Sequence, residues 1–325
     1  MSHLFDLDQL ADATRVVRRH VPPTPQYSWP MLDEVAGSAV IVKHENHTPL
    51  GAFKVRGGLV YFDGLVRERP DVAGVVSATR GNHGQSLAFA GREYGRSVTI
   101  FVPRGNSVEK NASMRALGAD LIEFGDDFQE ARERAMKVAG ERNLEPVPPF
   151  HRDLVLGVAT YAYELFDAAG PLDTVYVPVG MGSGINALIT VRDLLGLKTE
   201  IVGVIADAAP ATKLSFDAGS VVNTDAAATF VDGVACRAPD EQAIAGIIDG
   251  AARVISVSDD ASADAMRTIF RTTHNVAESA GAIALAGLLS EPPSRRGDRS
   301  AFILTGGNVD SSQLHLVLGG ATPAV

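Results

Sequence analysis

Hydrophobic and polar positions follow two different periods along this chain. Short, mostly apolar runs over 39–43, 98–102 and 174–179 have the length of buried β-strands. Between such runs, over 82–94 and 184–195 for example, apolar residues recur with the period of an amphipathic helix. Strands separated by helices in this order predict a parallel sheet with helical crossovers, and therefore an α/β fold.

The same two patterns predict the remaining elements. Further strands are expected over 72–77, 120–124, 200–205, 253–257 and 301–305. Further helices are expected over 7–20, 54–66, 107–117, 128–142, 155–166, 261–271 and 277–289, with a short helix near the end of the chain.

Prolines mark the main breaks in this pattern. Those at 22, 23, 25 and 30 predict a segment without regular structure, because proline lacks the backbone N–H that helices and sheets use. Those between 146 and 149 predict a crossing between two domains. The span 206–239 carries little pattern.

Composition and charge narrow the class of protein. The chain has 325 residues, 46% of them apolar, enough for one large or two modest domains. Its formal net charge is −10 and like charges do not run in blocks, so we expect neither nucleic acid nor an anionic membrane as a partner. Cys236 is the only cysteine, which excludes an intramolecular disulfide and a cysteine-rich metal site. A small molecule is the expected partner.

Targeting segments are not expected either. Residues 1–8 carry acids and no basic flank before an apolar run, unlike a secretory signal. The longest apolar stretch, over 280–289, is shorter than the roughly 20 residues of a membrane helix. These features predict a soluble, cytoplasmic protein.

Lys54 is the first candidate for chemistry. It lies between Phe53 and Val55, with Gly51 before it and Gly57 after it. An ammonium in small and apolar surroundings is poorly hydrated, which favours the neutral amine that attacks a carbonyl cofactor. A lysine at the start of an amphipathic helix can equally be a surface residue, so this segment alone does not decide.

Three turns that follow predicted strands are further candidates. The turn over 77–85 contains Gly-Asn-His before a helix, where free N–H groups favour anions, although an ordinary capped turn would look similar. The turn over 175–184 has alternate glycines that could wrap a phosphate, and their spacing differs from the dinucleotide fingerprint. The turn over 303–309 has Thr-Gly-Gly-Asn at its centre. Taken by itself, this turn does not indicate a function.

Together these segments resemble one family. Glu45, Asn46 and the run Gly-Ala-Phe-Lys-Val-Arg-Gly over 51–57 match the lysine motif of the fold-type II pyridoxal-phosphate (PLP) enzymes. This family includes serine/threonine dehydratases, serine racemase and cysteine synthase. The three turns resemble its substrate loop, its phosphate cup and its ring-nitrogen segment, in the same order. The resemblance implies an α/β fold of two three-layer parallel-sheet domains with PLP in the cleft.

The resemblance also implies domain limits and site residues. The larger, PLP-binding domain would comprise 1–70 and 148–325, and the smaller domain, 71–147, would be inserted in it. Lys54 would be the catalytic residue and would hold PLP as a Schiff base. The expected cofactor-binding residues are Lys54, Phe53, Asn82, Gly180, Met181, Gly182, Ser183, Gly184 and Thr305. The expected substrate-binding residues are Thr79, Arg80, His83 and Gln85.

The implied reaction is the removal of water from a β-hydroxy L-amino acid, giving a 2-oxo acid and ammonia. Lys54 would take the Cα proton, and threonine or serine is the first expected substrate. Thr305, a neutral partner for the ring nitrogen, favours elimination over transamination. The resemblance further implies a homodimer.

Arg80 departs from the family pattern, which has a small or hydroxyl residue at this position. Arginine is a poor proton shuttle, so we do not expect efficient racemisation. Its guanidinium could recognise a second carboxylate, as in 3-hydroxyaspartate, or stack on an aromatic β-substituent, as in phenylserine. It could also pair with a structural acid or with the phosphate.

Other interpretations remain open. One is a β-replacement synthase, and another is a PLP-binding protein without turnover. A nicotinamide dehydrogenase fits worst, because no acidic residue follows a proper fingerprint. No metal is predicted: the resemblance would make Asp217 one ligand of a divalent metal, but it places the second carboxylate at Ala211. The chain ends soon after Asp310, so isoleucine feedback through a C-terminal regulatory domain is not expected.

Overall fold

The computed structural model describes residues 4–126 and 128–324. Residues 1–3 of the segment 1–8, in which we expect no signal sequence, lie outside this range. The outer domain limits at 1 and 325 lie outside it too.

Helices and strands alternate through most of the chain. The strands are β1 (Gln26–Ser28), β2 (Ala39–His44), β3 (Gly74–Ala78), β4 (Ser97–Val102), β5 (Asp120–Glu123), β6 (Glu145–Pro146), β7 (Thr174–Pro178), β8 (Glu200–Ala206), β9 (Arg253–Val257) and β10 (Arg299–Leu304). The helices are α1 (Leu7–Arg18), α2 (Pro30–Ala36), α3 (Lys54–Glu68), α4 (Asn82–Glu93), α5 (Val108–Ala116), α6 (Phe128–Arg142), α7 (Arg152–Ala169), α8 (Ser183–Leu194), α9 (Ala211–Ala218), α10 (Glu241–Gly250), α11 (Asp259–Thr273), α12 (Ser279–Ser290), α13 (Pro293–Arg296) and α14 (Ser311–Leu318).

The strands form two sheets. The larger has the order β1-β2-β10-β7-β8-β9, and only β1 runs antiparallel to its neighbour. The smaller has the order β5-β4-β3-β6 and is parallel throughout. All its strands come from 74–146, between strands of the larger sheet. The predicted α/β fold with parallel sheets in two domains is therefore confirmed.

Alternate side chains of the central strands face two different helical layers. In β2, Val40 and Val42 belong to the hydrophobic cluster that includes Phe302 and residues of α2, α11 and α12. Ile41 belongs to a second cluster, which includes residues of α3, α7 and α8. This second cluster continues into the smaller domain through β3 and α4. Because α3 packs in this shared cluster, the position of Lys54 depends on both domains.

One sequence prediction is wrong, and some helices were not predicted. The proline-rich segment is not irregular: β1 forms there, and α2 begins at Pro30, in the first turn where a missing N–H breaks no helical bond. The weakly patterned span contains α9, and α10 follows it without having been predicted. No helix in the described part of the chain is long and apolar enough to cross a bilayer.

Candidate active site

The predicted site segments meet at one end of the larger sheet. The lysine segment follows β2, Thr305 follows β10 and the glycine turn follows β7, and these three strands are neighbours. Carboxyl ends of parallel strands lie at the same edge, which is the usual place for a ligand in an open α/β sheet. The Asn82 turn follows β3 of the smaller sheet. The fold therefore brings segments distant in sequence to one cleft.

Lys54 is the first residue of α3, and its side chain is not on the open surface. Its Nζ donates a hydrogen bond to Ser183 Oγ at 3.2 Å and lies 4.9 Å from the centre of the Phe53 ring. Burial lowers the pKa of Lys54 to about 8, because an ammonium loses hydration there. The surface-lysine interpretation is therefore not supported. A neutral amine is accessible at this position near physiological pH.

The segment before Lys54 is fastened to the end of β10. Phe53 N donates to Thr305 O at 3.0 Å, and Gly307 N donates to Gly51 O at 2.9 Å. Gly51 has a φ of 66°, and a Cβ there would lie 2.6 Å from Asn308 Oδ1. A left-handed backbone and this close approach both require glycine.

A buried ionic group lies at the base of the lysine motif. We call Lys43, Glu45, Arg56 and Glu164 the Arg56 cluster. Arg56 donates to Glu45 Oε2 at 2.7 Å and to Glu164 Oε1 at 2.9 Å, and Lys43 Nζ lies 2.7 Å from Glu164 Oε2. All four side chains are buried. The motif residues Glu45 and Arg56, to which sequence reasoning assigned no role, therefore connect α3 to the turn after β2 and to α7.

The glycine turn has the form of an anion site. Gly182 has a φ of 90°, and a Cβ on Gly180 would lie 2.3 Å from Gly233 O, so neither position accepts a larger residue without movement. Ser183 and Gly184 are the first residues of α8, whose first backbone N–H groups have no partner within the helix. Such a turn binds a phosphate well.

Met181, the odd residue of this turn, packs against the single cysteine. Cys236 Sγ lies 3.6 Å from Met181 Sδ, and the thiol is buried. The Met181 side chain is thus accommodated beside the turn, as expected if the backbone provides the donors.

Asn82 is held in one orientation at the start of α4. Its Nδ2 donates to Glu278 Oε1 at 2.6 Å, and its Oδ1 accepts from Asn308 Nδ2 at 2.8 Å. One N–H of the amide is left for a ligand. Sequence reasoning assigned no role to Glu278, and it included Asn308 only as part of the Thr-Gly-Gly-Asn turn.

His83 is half-buried beside Lys54. Its Nε2 has no hydrogen-bond partner within the described residues. Burial, with a smaller contribution from the charge of Lys54, lowers the pKa of His83 to about 3. The ring is therefore neutral at physiological pH, and a buried nitrogen without a partner is typical of a site built for a ligand.

The other predicted substrate residues differ in exposure. Thr79 is buried, and its Oγ1 accepts from Gly81 N at 3.3 Å. Gln85 is buried, and its Oε1 accepts from Ser113 Oγ at 3.1 Å, so this oxygen is used inside the smaller domain. Arg80 is exposed and forms no ion pair with a described residue. Only its backbone is fixed, by Asn106 Nδ2 donating to Arg80 O at 3.2 Å.

Thr305 is buried at the end of β10. Its Oγ1 donates to Ala280 O at 3.3 Å, a bond that would be exchanged if the hydroxyl donated to a ring nitrogen instead. Asp217, the lone candidate metal ligand, pairs with Lys213 at 2.8 Å.

A family model described as pyridoxal-phosphate dependent enzyme matches residues 17–306. The chain belongs to this family. It is 32% identical over 301 residues to the L-threo-3-hydroxyaspartate ammonia-lyase of a Pseudomonas species, covering 91% of this chain and 93% of that protein. It is 31% identical over 299 residues to the biosynthetic L-threonine dehydratase IlvA of Salmonella typhimurium, covering 90% of this chain. The chain spans only 58% of the length of that dehydratase.

Solved structures agree with the family. Threonine deaminase isoform 2 from Solanum lycopersicum superposes with a TM-score of 0.89 and 28% identity, covering 98% of this chain and 90% of that chain. Maize serine racemase superposes with a TM-score of 0.90 at 24% identity, which supports the fold alone.

The residues of this cleft fit pyridoxal phosphate. Lys54 offers an amine, the glycine turn offers backbone donors where no larger residue fits, and His83 Nε2 is a buried atom without a partner. The glycine turn is complementary to a phosphate, the Lys54 amine to a carbonyl, and the polar groups of the cleft to a polar ring.

Proposed function

We propose that this chain is a PLP-dependent lyase that removes water from a β-hydroxy L-amino acid, with threonine or serine as first substrates. The observation that carries the proposal is the poorly hydrated Lys54 amine beside Ser183, at the meeting point of three strand ends. Relatives named dehydratase or ammonia-lyase support the reaction class. The products would be a 2-oxo acid and ammonia.

Bound PLP supplies an electron sink that makes the Cα proton of an amino acid acidic. Lys54 Nζ would take this proton, and its pKa of about 8 suits a group that gains and loses a proton near neutral pH. Ser183 Oγ, 3.2 Å away, fixes the direction of the amine. The β-hydroxyl would leave as water with a proton equivalent to the one taken from Cα. A second water would hydrolyse the released enamine to the 2-oxo acid and ammonia.

The substrate carboxylate would bind at the start of α4. Thr79 and the first N–H groups of this helix provide donors, and the positive end of the helix dipole favours an anion. His83, half-buried and neutral, adds a polar nitrogen without adding charge. Gln85 stays proposed as a substrate residue only through its NH2 group, since its oxygen is already bonded.

A second candidate substrate class is a β-hydroxy amino acid with a second carboxylate. Arg80 favours it, because the guanidinium is exposed in the substrate loop and forms no ion pair with any residue described. The interpretation in which Arg80 pairs with a structural acid is not supported by this arrangement. A relative from Pseudomonas is named for such a substrate.

Domain limits, assembly and location also belong to this proposal. We propose a larger domain of 1–70 plus 148–325, an inserted smaller domain of 71–147, and a homodimer working in the cytoplasm. The origin of the smaller sheet in 74–146 supports the limits. Light scattering after gel filtration would test the dimer.

The test of the reaction is 2-oxo acid release by PLP-loaded protein given L-serine, L-threonine, L-threo-3-hydroxyaspartate or L-threo-phenylserine at matched concentration. We expect release from at least one of them, and none from Lys54→Ala. If Arg80→Ala removes a preference for hydroxyaspartate, Arg80 selects the substrate. Absence of 2-oxo acid with every substrate, together with sulfide-dependent product formation, would instead identify a β-replacement synthase.

A further inference from the structure

Lys110 is a cation of the smaller domain that is buried against the larger one. It belongs to α5, and its Nζ lies 2.6 Å from Asp232 Oδ2 and 3.6 Å from Glu278 Oε2. We call Lys110, Asp232 and Glu278 the Lys110 cluster. Both acids lie outside the segment 74–146 that supplies the smaller sheet. The ammonium therefore joins the two domains across the cleft.

The stem of the Lys110 side chain lies on the substrate loop. A Cβ on Gly81 would be 2.7 Å from Lys110 Cδ, so the loop backbone and the lysine stem are in close contact. Gly81 directly precedes Asn82 and α4. A change in Lys110 would reach the Asn82 turn both through this contact and through Glu278.

Glu278 links the ammonium to the amide of Asn82. One of its oxygens, Oε1, accepts the hydrogen bond from Asn82 Nδ2, while the other, Oε2, faces Lys110. Asn308 Nδ2 donates to the other end of the amide, Asn82 Oδ1. Glu278 and Asn308 together prevent the Asn82 amide from flipping by 180°. The remaining N–H of Asn82 is thereby aimed in one direction.

The charge of Glu278 depends on its neighbours. Burial raises the pKa of Glu278 to about 7, Lys110 opposes this increase, and Asp232 adds to it. Asp310 also lies near Lys110. A protonated carboxyl is a poorer acceptor for an amide N–H, so loss of the ammonium would weaken the hold on Asn82.

We propose that Lys110 is a positioning residue for the cofactor: by holding Glu278 as an ionised acceptor across the domain boundary, it fixes the Asn82 amide against the PLP ring. The proposal rests on PLP binding by this cleft and not on the identity of the reaction. It assigns to α5 of the smaller domain a role in cofactor affinity that acts through Glu278 and Asn82.

Other contacts of α5 keep the helix in place when Lys110 is changed. Ser107, its N-cap, donates a hydrogen bond to Asp310, and Glu109 Oε1 accepts from Ser311 N at 3.0 Å. Lys110→Met preserves the apolar stem that lies on Gly81 and removes only the charge. We therefore expect this variant to fold.

The experiment is an absorbance titration of the PLP-free protein with PLP between pH 5.5 and pH 9. Lys110→Met should weaken PLP binding about tenfold at pH 7.5, and Lys110→Arg should restore most of the affinity. The midpoint of the pH dependence should move to higher pH in Lys110→Met. That movement should vanish when Glu278→Gln is added, because the titrating group is then gone.

Asp232→Asn should move the midpoint of the pH dependence of PLP binding in the opposite direction. Removing this carboxylate leaves the ammonium to Glu278 alone, so the midpoint should move to lower pH. Lys137→Met, on exposed Lys137 of α6, is the matched control and should change neither affinity nor midpoint. Unchanged affinity in Lys110→Met, or weaker binding with an unmoved midpoint in both variants, would overturn the proposal.

Discussion

Two groups of buried charges support the residues around Lys54, and they are built differently. The Arg56 cluster contains two cations and two carboxylates, and both carboxylates accept several hydrogen bonds. The Lys110 cluster contains one cation and two carboxylates, and Glu278 Oε2 has no hydrogen-bond partner in the described part of the chain. One cluster is balanced, while the other carries an excess of negative charge.

The pKa directions follow this difference. Burial alone would raise the pKa of Glu164, but Arg56 and Lys43 outweigh it and lower that pKa. Burial raises the pKa of Glu278 to about 7, because a single ammonium is shared with Asp232. A balanced group stays ionised and holds α3 in place, whereas an unbalanced group responds to pH beside the cofactor cleft. The Arg56 cluster thus stabilises the fold around α3, and the Lys110 cluster changes its charge with pH.

The largest expected effect is the loss of Arg56. Arg56→Met leaves Glu45 and Glu164 buried with Lys43 as their one buried cation, and should lower the free energy of unfolding by about 3–5 kcal/mol. Guanidinium chloride denaturation measures this change. Arg18→Met is the control: Arg18 also reaches Glu164, at 3.2 Å, but is partly exposed, so its loss should cost below about 1 kcal/mol. Equal, small effects of both variants would show that the cluster does not anchor α3.

The pH dependence of stability should separate the clusters. Since the pKa of Glu278 is raised, its contribution to stability is present below its ordinary pKa of 4.5 and is lost as pH rises through about 7. Since the pKa of Glu164 is lowered, its contribution is present above 4.5 and is lost as pH falls further.

Denaturation of two variants across pH 3 to pH 8 measures the separation. Relative to Glu278→Gln, the unmodified protein should lose on the order of 2 kcal/mol between pH 4.5 and pH 7. Relative to Glu164→Gln, it should lose stability only below about pH 4.5. If both variants differ from the parent over the same pH window, the two clusters do not differ in the way described.

The smallest expected effect belongs to a third arginine. Arg80 is exposed and unpaired within the described chain, so Arg80→Ala should change the free energy of unfolding by less than about 0.5 kcal/mol. Its effect should be on substrate choice alone, read as the ratio of kcat/KM for hydroxyaspartate to that for threonine. A stability loss comparable to that of Arg56→Met would mean that Arg80 is a structural residue.

Local pattern was sufficient for every strand of the described chain except β1 and β6, and it located the segments of the candidate site. Strands such as β4 and β8 lie in continuous apolar runs, and the lysine and glycine segments contain their chemistry within a few residues. Some helices, and the residues at which they begin, were harder to predict. The proline at the start of α2 was taken as a break, and the helical spacing of Ala243, Ile244 and Ile247 in α10 went unnoticed.

The supporting contacts could not be predicted in the same way. Asn82 and Glu278 are 196 residues apart, and Lys110 and Asp232 are 122 residues apart. No periodicity connects such positions, because their proximity depends on the strand order and on how the two domains meet. The insertion of β10 between β2 and β7, which places Thr305 beside the lysine segment, is likewise a property of topology.

The most direct measurement of the central claim is to identify the lysine that holds PLP. The PLP-loaded protein would be reduced with borohydride, digested and analysed by peptide mass spectrometry, beside Lys54→Ala treated in the same way. We predict a pyridoxyl-phosphate group on the peptide that contains Lys54 and no labelled peptide in the variant. A label on Lys43, Lys110 or another lysine, or equal labelling of the variant, would contradict the assignment of Lys54.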